Sequence, residues 1–232
     1  MRDFIVKQAL KLGLYETLMN VSDYFTQIKA NRLFRHYGLE TLVQADKAFG
    51  SVNIQMFLNF GTLLGAYRDK GFIPFDFDLD VGVMARQRPE NLDEIMQAYG
   101  FVKKKQLYIQ ETGRITEDQY LYKGLQIDVF YFFEDEIMSA PNCFYCYVAR
   151  RHETKEWKEA NRTDGFPCVL WPCEKTEFSQ TDFLGHKFYV PNATKEWLSG
   201  IYGSDFMTPI KNWTVGERNT KIIHHTERLY RR

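Results

Sequence analysis

The 232-residue sequence predicts one domain of mixed α and β structure, and three observations predict it. Apolar residues recur at helical spacing through the first fifty positions. Three strand-like runs, 101–110, 115–123 and 126–133, follow one another across short turns. Between these regions a strand, a Gly-Thr turn and a helix lead into a row of alternating aspartates. The length suits a single unit with a sizeable core. Residues 1–232 are therefore read as one domain: a helical scaffold (1–50), a core (51–133), an irregular insertion (134–180) and a C-terminal segment (181–232).

With 44% hydrophobic and 16% aromatic residues the chain is globular. Its 30 basic and 30 acidic residues leave no global field of the kind that gathers nucleic acid. The charge is uneven, however: residues 1–36 hold six basic against three acidic residues, and 210–232 hold six against two. Basic ends around an acidic middle fit either a surface that touches anionic lipid, hence peripheral membrane contact, or ordinary solvated helix faces. Lys7 and Lys11 interrupt every apolar run at the N-terminus, so no secretory signal is expected. No stretch reaches the roughly 18 apolar residues of a membrane span. A cytoplasmic protein with reduced cysteines is the expectation.

Taken in order, Phe4, Ile5, Leu12 and Leu18 predict a first helix over 4–20 with Asp3 as its cap. A second starts at Ser22, uses Phe25, Ile28 and Leu33, and is expected to stop at Gly38; a third runs from Leu39 to Phe49. Residues 53–60 read as a strand, broken at Gly61, where a short helix through Leu63, Leu64 and Tyr67 begins. A strand, a Gly-Thr turn and a helix leave free N–H groups and a hydroxyl where a phosphate can approach. After the three central strands and the insertion, a strand from Phe183 to Val190 and a helix carrying Trp197, Leu198, Ile201 and Tyr202 end at Gly203. The basic, aromatic tail through Trp213, His224 and His225 either covers the site or trails.

The chemistry concentrates in Phe75-Asp76-Phe77-Asp78-Leu79-Asp80-Val81-Gly82. Read as a strand, this run puts Phe75, Phe77, Leu79, Val81 and Val83 on one face and Asp76, Asp78 and Asp80 on the other. A row of carboxylates repels itself unless a cation sits against it, and hard divalent ions take such oxygen ligands. Asp128 adds a lone carboxylate to an otherwise apolar strand, where burial demands a partner, a proton or a metal. Together Asp78, Asp80 and Asp128 can hold Mg2+, or Mn2+, against a phosphoryl group. A calcium loop of the EF-hand kind fails at two positions, Val81 where Gly is required and Gln87 where Glu is required. A glycosyltransferase D-x-D remains an alternative. Cys143, Cys146, Cys168 and Cys173, with His152 and His186 as substitutes, are candidates for a zinc site pinning the insertion, or are small core residues.

The order Gly61-Thr62-Leu63-Leu64-Gly65-Ala66-Tyr67-Arg68, then Gly71-Phe72-Ile73-Pro74-Phe75-Asp76-Phe77-Asp78-Leu79-Asp80-Val81-Gly82, resembles the signature of the LicD and fukutin-related family. Ile127-Asp128-Val129-Phe130 and the block from Phe183 through Pro191 to Tyr202-Gly203 and Pro209 extend the likeness over about residues 50–210. The resemblance implies a nucleotidyltransferase-like mixed sheet with flanking helices. It also implies transfer of a phospho-alcohol, such as phosphocholine or ribitol phosphate, from a CDP-linked donor to a sugar hydroxyl of a glycan or its lipid-linked precursor. By position, Gly61 and Thr62 would contact the donor phosphates. Asp78 and Asp80 would hold metal, and Asp128 would complete the metal site or draw the acceptor proton. Arg68 would steady the diphosphate or pair with Asp76. Phe75 stands where Trp is usual, and Phe77 where many members carry a further Asp, a change that the face alternation says removes no ligand. A nucleotidyltransferase attacking the α-phosphate of a nucleoside triphosphate is the other reading.

Overall fold

Over residues 15–50 the helices expected from the sequence are one. The computed structural model describes residues 15–134, 140–149, 165–210 and 223–232, with backbone alone at 15–30 and 224–227. In it helix α1 spans Tyr15–Gly50 and runs through Gly38 without a break. A helical glycine costs about 1 kcal/mol relative to alanine, which penalises the helix without stopping it. A Cβ on Gly38 would lie 3.1 Å from the Phe72 ring, so the bare position lets α1 close on the loop carrying Phe72. The first part of the expected 4–20 helix, Asp3, His152 and Trp213 lie outside the described residues, as do the side chains of His224 and His225.

Among the described residues the remainder is built on a mixed sheet of ten strands: β1 (Phe57–Leu58), β2 (Asp78–Met84), β3 (Phe101–Ile109), β4 (Ile115–Tyr122), β5 (Leu125–Phe132), β6 (Cys143–Ala149), β7 (Phe166–Glu174), β8 (Phe178–Phe183), β9 (His186–Pro191) and β10 (Ile223–Arg231). Their spatial order is β6-β7-β10-β3-β4-β5-β2-β1-β9-β8. The β2–β5 and β1–β9 pairs are parallel and the others antiparallel. Just past β5, Phe133 exchanges both backbone hydrogen bonds with Tyr145 of β6, at 2.8 and 3.1 Å. The sheet therefore curls until the two ends of its β6-to-β5 portion meet. Among the described residues there are also three short helices: α2 (Phe60–Leu64), continued by a π turn over Gly65–Asp69, α3 (Leu92–Ala98) and α4 (Thr194–Tyr202). Among the described residues no helix is long and apolar enough to cross a membrane.

The expected strands at 101–133 form close to their expected limits, because each alternates cleanly and ends at a turn. Other expectations need correcting. The stretch 134–180 contains β6 and β7, paired over seven registers and joined to the sheet, so what is described of it is not irregular. The expected strand 183–190 is the second arm of a β8–β9 hairpin; Leu184 and Gly185, both at positive φ, make its two-residue turn. The tail returns as β10 between β7 and β3.

The aspartate strand begins at Asp78, not Phe75. The Asn31 side-chain amide on α1 donates to the carbonyls of Pro74 and Asp76, both at 2.9 Å. It pins that stretch as a turn, and Phe75 and Phe77 are left 77% and 43% exposed instead of facing the core with Leu79.

The four-cysteine zinc site is also overturned. In the β6–β7 register Cys143 pairs with Glu174 and Cys168 with Ala149, which puts those two thiols on one face. Phe144 pairs with Cys173 and Cys146 with Trp171, which puts Cys146 and Cys173 on the other. Four thiols divided between two faces cannot converge on one ion. Cys146, Cys168 and Cys173 are buried, no disulfide joins any of the four, and burial pushes the Cys146 thiol well up. The small-core-residue reading is the one the fold supports.

Candidate active site

β2 and β5 run parallel with Asp80 opposite Asp128 and Asp78 opposite Gln126, while antiparallel β4 sets Gln119 opposite Asp128. Side chains alternate, so Asp78, Asp80, Gln126, Asp128, Gln119 and Glu117 leave the three strands on one face. Leu79, Val81, Val83, Ile127 and Val129 leave on the other and are fully buried. The apolar half of each strand anchors the sheet, and the polar half lays carboxylates side by side.

The Gly-Thr turn grips the middle of this row. Asn59 N–H donates to the Asp80 carbonyl at 3.2 Å, Gly61 N–H donates to Asp80 Oδ2 at 3.0 Å, and Asp80 N–H donates to Thr62 Oγ1 at 2.9 Å. Thr62 is buried, so its hydroxyl serves to position Asp80. Gly61 also lies under Asp76: a Cβ there would fall 2.7 Å from Asp76 Oδ2 and 3.2 Å from Asp80 Oδ2. Only a residue without a side chain lets the backbone come this close to two carboxylates. The preceding Phe60 holds φ +39°, a conformation rare for an aromatic, with its ring against Phe130 and Trp171. Buried Asn59 accepts from Trp197 Nε1 of α4 at 3.2 Å, tying the turn to the far side of the core.

Electrostatically the row is crowded with like charge. Burial, then Asp78, Asp76 and Asp128, hold the Asp80 carboxyl well above the usual carboxylate range, against the pull of the Gly61 amide. Burial and Asp78 raise Asp76 to about 7. Burial, Glu117 and Asp78 raise Asp128, opposed by the Gln126 amide and Lys105. Two glutamines brace Asp128: Gln126 Nε2 donates to its two oxygens at 2.7 and 3.0 Å, and Gln119 Nε2 to Oδ2 at 3.2 Å as well as to Glu117. Gln119 Oε1 is buried with no hydrogen-bond partner among the described residues.

Carboxylates held this close, in a partly dry environment, favour a proton or a hard cation between them. Their donor chemistry fits a hard cation such as Mg2+ or Mn2+, and Asp78, Asp80 and Asp128 are the groups that would hold it. Among the described residues no three His, Cys, Asp or Glu side chains already form a closed cage.

A cleft of about 1910 Å³ opens over the row, lined by Gly61, Arg68, Asp76, Asp80 and Tyr202 among others. Arg68 reaches it but is engaged: its guanidinium meets the neighbouring Asp69 in a two-point pair at 2.8 and 2.9 Å, and the Phe206 carbonyl at 3.4 Å. The expected alternative pairing with Asp76 is not made. The Tyr202 phenol is pushed well up by burial and then by Asp80, Asp76 and Asp78, which marks its proximity to the row.

Gly61, Thr62, Asp76, Asp78, Asp80 and Asp128, the residues the sequence singles out, are brought together by the fold. Gln126, Gln119, Glu117, Asn59 and Tyr202 join them without being singled out by the sequence. Gln126 carried a local signal, lying two residues before Asp128 on the same strand face; the others depend on long-range pairing.

Residues 53–193 match a family model described as LicD/FKTN/FKRP, nucleotidyltransferase domain. The chain belongs to this family. It is similar to the human protein named ribitol-5-phosphate transferase FKTN, 26% identical over 184 residues, and to the mouse protein of that name, 25% over 185; each alignment covers 78% of this chain. It spans 35% of the length of those relatives. A 32-residue stretch is 59% identical to uncharacterized protein RP689 of Rickettsia prowazekii (strain Madrid E), covering 14% of this chain and 12% of that one. The family assignment rests on the same segment that builds the carboxylate face, from β1 to the end of β9.

Proposed function

We propose that this chain is a metal-dependent transferase that moves a phospho-alcohol, such as ribitol phosphate or phosphocholine, from a CDP-linked donor to a sugar hydroxyl of a glycan or its lipid-linked precursor. CMP is the leaving product. The observation that carries the proposal is the carboxylate face of β2 and β5 held against Gly61 at the floor of a large cleft, in a chain of this family. A divalent cation held by Asp78 and Asp80 would neutralise the donor diphosphate and stabilise charge on the departing CMP.

Asp128 is buried and, like the half-buried Asp78, is not among the cleft-lining residues. It suits support of the cation better than contact with an incoming hydroxyl. The Gly61 turn fixes Asp80. The acceptor oxygen forms a bond to the phosphorus farther from cytidine, the bond from that phosphorus to the CMP oxygen breaks, and the electron pair leaves with CMP. The acceptor proton passes to Asp76, which lines the cleft with Asp80 and is not held by an arginine as Asp69 is.

The test is thermal unfolding of the protein with Mg2+ and, separately, excess CDP-ribitol, CDP-choline, CDP-glycerol, CTP and UDP-glucose. A ligand at a hundred times its dissociation constant adds about 2.7 kcal/mol, worth roughly 5–10 °C in a chain of this size. A shift selective for one CDP-alcohol, abolished by chelator and in Asp80→Asn, is expected. A shift with CTP alone would move the assignment to attack on a nucleoside triphosphate, and one with UDP-glucose alone to glycosyl transfer.

A further inference from the structure

The large apolar side chains that the fold leaves in solvent are gathered in one region. Among the described residues seven are exposed, and five of them, Phe75, Phe77, Leu184, Met207 and Ile210, border the segment 65–77; the other two are Val52, just past the end of α1, and Val102 on β3. Phe75 and Phe77 belong to that segment. The Phe72 ring meets Phe183 at 5.1 Å between centroids, next to Leu184 at the tip of the β8–β9 hairpin. Tyr67 meets Phe206 at 5.9 Å and Arg68 donates to the Phe206 carbonyl at 3.4 Å, which brings in Met207 and Ile210. Phe75, Phe77 and Ile210 line the cleft, and their exposure puts them at its mouth.

Apolar side chains scattered singly over a surface need no explanation, whereas five from three separate segments around one opening mark a contact surface. Phe75 is 77% exposed, so its ring lacks the protein backing that a stacking platform for a flat ligand needs. All five stand on turns and loops, not in a continuous groove, a form that suits entry between lipid headgroups. Cations stand among them. Lys70 is exposed in the same loop, and exposed Arg35 donates through Nη2 to the Pro74 carbonyl, directly before Phe75, at 3.4 Å. Asp69, beside Lys70, is taken up by Arg68. Apolar tips with cations at their base match an anionic bilayer: the apolar groups reach the acyl boundary while the ammonium and guanidinium groups stay with the headgroups. We propose that this rim docks the protein on a membrane that carries anionic lipid, with the mouth of the cleft facing the bilayer. The docking does not depend on the transferase reading.

Flotation of the full chain with vesicles tests it, comparing phosphatidylcholine alone with phosphatidylcholine carrying phosphatidylglycerol. The chain is expected to float with the mixed vesicles and to bind the neutral ones about tenfold more weakly. Phe75→Ala/Ile210→Ala should lower partitioning into the mixed vesicles by at least about tenfold, while Val102→Ala, equally apolar and exposed but remote from the rim, should change it by less than about twofold. Lys70→Glu should weaken binding to the mixed vesicles alone. Phe75→Trp should keep the binding and shift its added emission to the blue when vesicles are present, which a ring that stays in water would not do. All these side chains are exposed, and an unchanged unfolding midpoint checks that each variant folds. Failure of the unaltered chain to float with the mixed vesicles overturns the proposal, as does partitioning that survives Phe75→Ala/Ile210→Ala. A dimer dispersed by that variant, with no vesicle binding, overturns it in favour of a second copy of this chain. Loss of Mn2+-dependent CDP-ribitol binding in that variant, with vesicle binding intact, overturns it in favour of the nucleotide.

Discussion

Glu117 and Asp118 are neighbours on β4, and their carboxylates meet opposite fates because they leave the strand on opposite faces. Asp118 is completely buried and fully engaged. Arg88 Nε donates to it at 2.9 Å, Gln106 Nε2 at 2.7 Å and Tyr131 Oη at 2.6 Å, and the Lys103 ammonium pairs with it as well. Lys103 continues to Asp93 at 2.7 Å, where Tyr120 also donates, at 2.5 Å. Glu117 faces Asp128 and the aspartate row beyond, where like charges raise Asp128 and two glutamine amides and Lys105 oppose them. One face of the sheet holds a carboxylate that the protein has neutralised by itself. The other crowds carboxylates against one another, so that Asp76, Asp80 and Asp128 are all raised. Burial is common to both, so burial alone does not mark function; the crowding of like charges does.

The sharpest way to break this comparison is to remove one carboxylate from each face. Asp80→Asn should lower turnover by at least about a thousandfold while leaving the metal-free midpoint unchanged or higher, because it relieves repulsion. An active Asp80→Asn protein would remove the site assignment. Asp118→Asn should do the reverse, leaving Arg88 and Lys103 short of a counter-charge. A destabilisation of about 3 kcal/mol follows from breaking a buried pair whose lysine is a quarter exposed, read as a lower unfolding midpoint with Mn2+ affinity retained at temperatures where the protein is folded.

How much of this contrast the sequence carried depends on the range of each interaction. Alternation is local, so the facing of Asp78 and Asp80, the lone Asp128 and the strands of residues 101–133 could be read directly. Gly61 could be read because the strand, Gly-Thr and helix order is local too, although the fold gives its amide and the Thr62 hydroxyl to Asp80. The partners of Asp128 on β4 could not be read, since Gln119 and Glu117 meet it only through a strand register that no short window specifies. The cysteines misled for the same reason: close spacing in sequence says nothing about which face a strand pairing assigns. Gly38 and Phe75 misled because tertiary contacts overrode local preference, Phe72 packing on one and the Asn31 amide fixing the turn around the other.

The crowded face should also make the metal-free protein respond to pH. Asp76 titrates at about 7 in the folded chain against 3.8 for the free side chain, and Asp80 and Asp128 are raised in the same direction. Between those values the folded state binds more protons than the unfolded one, so stability falls as pH rises from about 4 to 7. In chelator the unfolding midpoint should decline across that window by the equivalent of a few kcal/mol at most, on the order of 1–3. Saturating Mg2+ should flatten the decline, and Asp76→Asn should reduce it. A midpoint that rises with pH through this window in chelator would mean that the row is neutralised within the chain after all.

The smallest expected effect separates the faces most finely, because it compares two glutamines. Gln126 gives its amide to both oxygens of Asp128, and Gln106 gives its amide to Asp118. Replacing either with leucine keeps much of the side-chain volume and removes one brace. Gln126→Leu frees a carboxylate that is argued to support a cation, and losing such a bracing partner weakens metal affinity by about 10–100-fold. Mn2+ titration should show the lower end of that range, because Gln119 still donates to the same oxygen, with little change in the metal-free midpoint. Gln106→Leu removes one of several donors from a paired carboxylate, and also the acceptor that Arg232 Nε meets at 2.6 Å. It should cost roughly 1–2 kcal/mol of stability and leave Mn2+ affinity as it was. If both variants lose stability and neither loses metal, the amide on Gln126 is a packing device like its counterpart, and the two faces differ in charge without differing in purpose.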